Sequence, residues 1–335
     1  MSTQGKPRIG VLGAGAWGTA LAQMLSSDGR EVLIWAFEPE LVEEINQHHR
    51  NSAYLPSTAL NPAIRVTGDL ADFGGIEILL AVTPAQHLAS ILAGLARQPR
   101  DLVLCSKGID AGSGHLLNEV AAAACPHSDI AVLSGPTFAH EVAAGMPTAV
   151  TLACGGGLAQ WERLSPAIAR PWFRPYYSDD VIGAEIGGAI KNVLAIGCGL
   201  VDGLGLGQNA RAALIARGYA EMLRFGEAME ARGETLAGLC GLGDLVLTCS
   251  SVSSRNFSLG KALGEGASAS DLMADRKTVA EGAYTAPVLM RLAEAKGVAM
   301  PIVAAVNAIL EGAKPEVVVT HLLARPLRAE QGRPA

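Results

Sequence analysis

Two lysines stand out against apolar surroundings in this 335-residue chain. Lys191, followed by Asn192, interrupts the run GGAIKNVLAIG at 187–197. An ammonium buried in such a segment is costly unless it is paired or used. Desolvation and a nearby cation would lower its pKa into the range of acid–base work. Lys107, in Ser106-Lys107-Gly108, follows the apolar run DLVLCS. At the carboxyl end of a parallel strand a lysine faces the ligand crevice; the alternative is a solvated loop lysine. Asp244 and Thr248, four residues apart, can share one helical face and orient polar partners. Ser254, Arg255 and Asn256 offer a guanidinium and local donors at a helix start, which suits a phosphate or carboxylate better than a sugar. Alone, that tripeptide could also be an ordinary N-cap with a surface arginine. Together these groups suit hydride transfer to a ketone, which needs a proton donor beside the developing alkoxide.

A second signal is Gly13-Ala14-Gly15-Ala16-Trp17-Gly18, between a strand-like run (RIGVL) and a helical one. In that context Gly13 permits the tight turn, Gly15 lets backbone approach a pyrophosphate, and Gly18 allows close helix–strand contact. The helix N-terminus supplies free N–H groups to the anion. Trp17 reads equally as packing or as a cofactor cover. The second strand ends in Trp35-Ala36-Phe37-Glu38, with no basic residue for a 2′-phosphate. Glu38 is the nearest acid to the ribose hydroxyls, so the reading favours NADH over NADPH, although Arg50 could fold back onto a phosphate.

These residues need a frame. Apolar runs at 8–12, 31–35, 77–82, 101–106, 129–135, 148–154 and 172–177 predict strands, with helices over 16–27, 39–49 and 84–96. Beyond about 180, Ala/Leu-rich helical periodicity dominates, at 180–200, 209–232, 256–265, 285–297 and 301–311. The fold class is an α/β Rossmann-type domain with a parallel-rich sheet, followed by an all-α domain. The boundaries are 1–185 and 186–328, with a frayed tail at 329–335. Gly135, Gly187 and Gly188 leave room for ligand or close helix approach. Gly197, Gly199, Gly203, Gly205 and Gly207 read as a flexible stretch.

Composition excludes other classes. Glycine is abundant (39 residues) but has no three-residue period, against collagen, and only 17% of residues are charged, against disorder. The net charge of −6 argues against a nucleic-acid module but allows a locally basic pocket. Six cysteines without paired spacing read as buried free thiols of a cytoplasmic protein. Apolar runs are broken well short of a membrane span, and the histidines show no metal-ligand spacing. The Ala/Gly-rich helices permit a homodimer.

The ordered blocks GAGAWGTALA (13–22), NSAYLP (51–56), SKGI (106–109), SGPTFAHEV (134–142), GGAIKNVLAIGCGLVDGLGLGQNARAAL (187–214), GLGDLVLTC (241–249), SRN (254–256) and VAEG (279–282) cover much of the chain. They resemble the bacterial NAD(P)-dependent glycerol-3-phosphate dehydrogenases, which make sn-glycerol 3-phosphate from dihydroxyacetone phosphate for phospholipid synthesis. The resemblance implies that Lys191 is the general acid/base at the C2 oxygen and Lys107 its companion at substrate and nicotinamide. It implies substrate contacts at Gly135 and Thr137, a polar network of Asn192, Asp244 and Thr248, and a phosphate grip by Ser254, Arg255 and Asn256. Cofactor contacts are implied at Gly13, Gly15, Ala16, Trp17, Gly18, Phe37, Lys107, Ala139, Arg255, Val279 and Glu281. The family often carries serine and a basic residue where this chain has Ala16 and Phe37, which weakens any expectation of NADPH preference. Related two-domain dehydrogenases of other hydroxy substrates, and a non-catalytic redox sensor, are the competing readings.

Overall fold

The computed structural model describes residues 6–274 and 280–326. Eight strands form one sheet: β1 (Ile9–Leu12), β2 (Val32–Trp35), β3 (Ile64–Thr67), β4 (Ile78–Ala81), β5 (Asp101–Leu104), β6 (Asp129–Ser134), β7 (Thr148–Cys154) and β8 (Phe173–Ser178). Their order is β3-β2-β1-β4-β5-β6-β7-β8. All pairings are parallel except β6 with β7. Strand order reverses between β1 and β4, which opens a crevice at the carboxyl ends. Every residue of β1, β4 and β5 is buried, so these strands read as continuous apolar runs rather than alternating ones.

The sheet domain contains α1 (Ala16–Ser26), α2 (Pro39–His48), α3 (Leu88–Ala93), α4 (Leu117–Ala124), α5 (Ala139–Ala143) and α6 (Gly157–Ile168). The helix expected over 84–96 is shorter: Pro84 precedes a 3-10 turn at Ala85–His87, and α3 ends before Gly94. Within this domain β3, α4 and α6 fall where periodicity gives no assignment. In β3 (IRVT) only Ile64 and Val66 face inward, too little pattern to read.

The helical part comprises α7 (Val181–Gly203), α8 (Gly207–Ala228), α9 (Gly233–Ala237), α10 (Asp244–Cys249), α11 (Arg255–Gly264), α12 (Ala269–Ala274), α13 (Glu281–Ala295), α14 (Pro301–Leu310) and α15 (Pro315–Leu323). Asp180 caps α7 by accepting from Gly183 N at 2.8 Å. By length and composition α7 could cross a bilayer, which departs from the expectation that apolar runs are too short. It is instead the core helix of the protein, with 89% of its apolar window buried.

The glycines after Lys191 are not flexible. Gly197, Gly199 and Gly203 lie inside α7. A Cβ on Gly199 would stand 1.9 Å from Phe257 O, and one on Gly203 2.2 Å from Lys261 O. Across the seam, a Cβ on Gly260 would stand 1.9 Å from Ile196 O. Bare backbone on both sides lets α7 and α11 cross in direct contact, which fixes Lys191 and Asn192 relative to the start of α11. Only Gly205, in the turn after α7, and Gly207, at the first position of α8, lie beyond this helix, both with positive φ.

Candidate active site

Lys191 projects from the middle of α7 and is 6% exposed. Its Nζ donates to Asp244 Oδ1 at 2.6 Å and to Thr248 Oγ1 at 2.9 Å. Lys107, just past β5, donates to the other oxygen, Asp244 Oδ2, at 2.5 Å. Asp244 and Thr248 share one face of α10, and the Thr248 hydroxyl lies 3.3 Å from Asp244 Oδ1. The Asp244 carboxylate is completely buried. One negative charge thus faces two lysines, a local excess of cation in a protein of net negative charge.

Local sequence explains the approach. A π-helical turn at 239–243 leads into α10, and a Cβ on Gly187 would stand 2.4 Å from its Cys240 O. Gly188 faces Lys107: a Cβ there would lie 3.4 Å from Lys107 Cγ and 3.3 Å from Ser134 Oγ. Both glycines therefore serve close packing beneath the lysines. Burial pulls the Lys191 pKa down, and the Lys107 charge adds to this; Asp244 opposes them, and the ammonium settles at about 8. Burial also works against the Lys107 ammonium, but the Asp244 charge and hydrogen bond outweigh it, so Lys107 is held above its usual value.

A second polar chain runs beside the first. Asn256 Nδ2 donates to Asn192 Oδ1 at 3.0 Å, and Asn256 Oδ1 accepts from Gly282 N at 2.9 Å. This ties α11, α7 and the start of α13 together. Ser254 caps α11 by accepting from Phe257 N at 3.2 Å. Arg255 is exposed at the first position of that helix, free to meet an anion. Glu281 opens α13; burial raises its pKa, against the charges of Arg255, Lys107 and Lys191. Lys107, Lys191, Asn192, Asp244, Thr248, Ser254, Arg255, Asn256 and Glu281 are therefore brought into one region.

The sheet side supplies the remainder. Gly135 follows β6 and has no space for a side chain, because a Cβ would stand 2.9 Å from Val150 Cα. Thr137 is half-buried with its hydroxyl 3.3 Å from Gly135 O, and Ala139 begins α5. Ser134 and Thr83, at the ends of β6 and β4, carry buried hydroxyls without a hydrogen-bond partner among the described residues. No sequence pattern marks either one, since an isolated Ser or Thr at a strand end has no distinguishing spacing. Val279, an expected cofactor contact, lies outside the described residues.

The glycine turn fits a dinucleotide. Gly13 has φ +113, and a Cβ on Gly18 would lie 2.0 Å from Gly13 O, so both positions demand glycine. Nothing lies within 4 Å of a Cβ placed on Gly15, which leaves open space at the mouth of α1. No side chain caps that helix and no acid occupies its first turn, Ala16 included, so its N–H groups remain available to an anion. Trp17 Nε1 is a buried donor without a partner among the described residues, so packing alone does not account for the indole. Phe37 is 80% exposed at the end of β2 and offers a ring face at the crevice mouth.

Asn51 and Tyr54 belong to the NSAYLP block, and the structure shows what each one holds. Asn51 is fully buried and donates to Ala14 O at 2.8 Å and to Thr19 Oγ1 at 2.9 Å, which pins the glycine turn. Tyr54 Oη donates to Glu38 Oε1 at 3.0 Å. The stretch lies between α2 and β3, outside any helix or strand, so no periodicity marks these two residues.

Comparison with known proteins agrees with this geometry. The family model described as NAD-dependent glycerol-3-phosphate dehydrogenase N-terminus matches residues 8–157, and its C-terminus counterpart matches 180–320. A glycerol-3-phosphate dehydrogenase [NAD(P)+] of Erythrobacter litoralis is 73% identical over 96% of this chain and 97% of its own length. One from Novosphingobium aromaticivorans is 71% identical over 96% and 98%. The crystal structure of glycerol-3-phosphate dehydrogenase from Coxiella burnetii superposes with a TM-score of 0.90 at 39% identity, covering 96% of this chain and 99% of that one. With both halves of the chain matched and the lysine–aspartate network in the crevice between sheet and helices, the chain belongs to the NAD-dependent glycerol-3-phosphate dehydrogenase family.

Proposed function

We propose that Lys191 is the proton donor and acceptor of the reaction, with Lys107 as its electrostatic companion. The reaction is the interconversion of dihydroxyacetone phosphate and sn-glycerol 3-phosphate with NAD(P)H, and glycerol 3-phosphate so made feeds phospholipid synthesis. The observation that carries the assignment is the sharing of one buried carboxylate, Asp244, by Lys107 just past β5 and Lys191 in the middle of α7. When bound, the reduced nicotinamide supplies the hydride to C2. The Lys191 ammonium gives its proton to the C2 oxygen as charge develops there, and the neutral amine takes it back in the reverse direction. Lys107 remains protonated and stabilises the oxyanion. Asp244 and Thr248 hold the Lys191 nitrogen in place, and Asn192, linked to Asn256, faces the same substrate. Gly135 and Thr137 line the sheet side of the substrate.

Ser254, Arg255 and Asn256 grip the phosphate, so binding energy at that remote group fixes the position of the reacting carbon. Gly13, Gly15, Ala16, Trp17, Gly18, Phe37, Ala139, Lys107, Arg255 and Glu281 hold the dinucleotide. The chain prefers NADH: Phe37 stands where a basic residue would meet a 2′-phosphate, and Glu38 is placed to accept the ribose hydroxyls. The domain division 1–185 and 186–328, a cytoplasmic location and a homodimer complete this reading. Six buried free thiols support a reducing compartment.

Lys191→Ala tests the central role. The variant should lose about three orders of magnitude in kcat while its Kd for NADH stays within about twofold. A variant with near-normal kcat removes Lys191 from proton transfer.

A further inference from the structure

We propose that Tyr54 is a positioning residue for nucleotide preference, holding Glu38 where it accepts the adenosine ribose and rejects a 2′-phosphate. This rests on the reading of Glu38 above and adds the residue through which that carboxylate is aimed. Glu38 immediately precedes α2, directly after the exposed Phe37, and its side chain makes no capping bond to that helix and is only half-buried. An unrestrained glutamate there would sample several rotamers and lose part of its ordering on binding ligand. The Tyr54 phenol removes that freedom by donating to Oε1 at 3.0 Å, while Oε2 carries no hydrogen bond from a described residue. One oxygen is anchored and the other is left for a ligand hydroxyl.

The anchor is itself tied to the phosphate turn. Tyr54 N donates to Asn51 Oδ1 at 3.0 Å, and Asn51 Nδ2 donates to Ala14 O at 2.8 Å. Leu55, next along the loop, is 4% exposed in the sheet-domain core. A continuous chain of contacts, Ala14 to Asn51 to Tyr54 to Glu38, therefore sets the distance between the pyrophosphate turn and the ribose acceptor. Burial, and secondarily the Glu38 carboxylate, raise the Tyr54 pKa, so the phenol remains a donor across neutral pH. A dianionic 2′-phosphate brought to the same place would meet a fixed negative charge and gain no donor from Glu38, while the Tyr54 hydroxyl is already spent on that carboxylate.

The test measures Kd for NADH and for NADPH by fluorescence titration of the full chain, in the wild type and in Tyr54→Phe, Glu38→Gln and the double variant. Tyr54→Phe keeps the ring and removes only the donor. It should weaken NADH by about five- to tenfold, the effect of losing one ordinary hydrogen bond, and change NADPH by less than about twofold. Glu38→Gln should shift the same ratio at least as far, and the double variant no further than Glu38→Gln alone. KM for dihydroxyacetone phosphate should stay unchanged. Equal weakening of both nucleotides by Tyr54→Phe, or no change in either, overturns the role of Tyr54 if Glu38→Gln still shifts the ratio. A ratio unmoved by Glu38→Gln as well overturns the reading of Glu38 itself.

Discussion

Lys107 and Lys191 come from different domains and close on the two oxygens of a single carboxylate, at 2.5 Å and 2.6 Å from Asp244. Without that carboxylate, two ammonium groups would share a pocket with no compensating charge. Asp244→Asn keeps the shape and removes the charge. It should lower kcat at least about a hundredfold and cost about 3 kcal/mol of stability, because breaking a buried ion pair strands its partners. Urea denaturation together with steady-state kinetics checks both effects. A variant of wild-type stability would show that the lysines do not depend on Asp244.

The pH dependence has a definite sign. Lys191 is an ammonium below about 8 and an amine above it. Reduction of the ketone requires the ammonium, so kcat for reduction should fall as pH rises through about 8. Oxidation of glycerol 3-phosphate requires the amine, so its kcat should rise through the same value. In Asp244→Asn both transitions should move to lower pH, since the charge that favours the ammonium is gone. Profiles insensitive to that substitution would assign the titration to another group.

Much of this site is legible in the sequence because a charged side chain in an apolar helix has few inexpensive explanations. Lys191, Asn192 and Asp244 stand out for that reason, and the glycine turn stands out by its place between β1 and α1. The adenosine side is harder to read. Asn51 and Tyr54 act through contacts with residues 37 and 16 positions away, respectively, and no local spacing encodes such pairings. The same limit applies to glycine. Gly199 and Gly203 look like part of a flexible run until α11 is laid against them, when missing side chains become a packing requirement. Composition reports how many glycines there are, whereas only the fold reveals what each one faces.

Arg255 offers a direct test of the phosphate grip. It is exposed beside the capped start of α11, close to Asn256, and has no ion-pair partner among the described residues. Arg255→Ala should raise KM for dihydroxyacetone phosphate by about tenfold to a hundredfold, with a smaller change in kcat. An unphosphorylated analogue such as dihydroxyacetone should be nearly indifferent to the substitution. If KM for the phosphorylated ketone is unchanged, the guanidinium does not bind the phosphate.

The helix crossing that aligns the two halves of the substrate site can be tested away from any ligand. At Gly199 an added methyl would meet the backbone of α11, Phe257 O at 1.9 Å and Lys261 N at 2.8 Å, and backbone cannot rotate aside. Gly199→Ala should therefore force α7 and α11 apart, cost about 3 kcal/mol, and move Arg255 and Asn256 away from Lys191. At Gly197, two residues earlier, the nearest atoms are the side-chain methyls of Val306 at 3.3 Å and Leu214 at 3.5 Å, which can yield. Gly197→Ala should change stability by less than about 1 kcal/mol, helped by the better helix propensity of alanine. Thermal unfolding of the two variants, with KM for dihydroxyacetone phosphate measured alongside, separates a tight backbone crossing from a merely glycine-rich helix. Equal tolerance at both positions would rule out the crossing as the device that holds the site together.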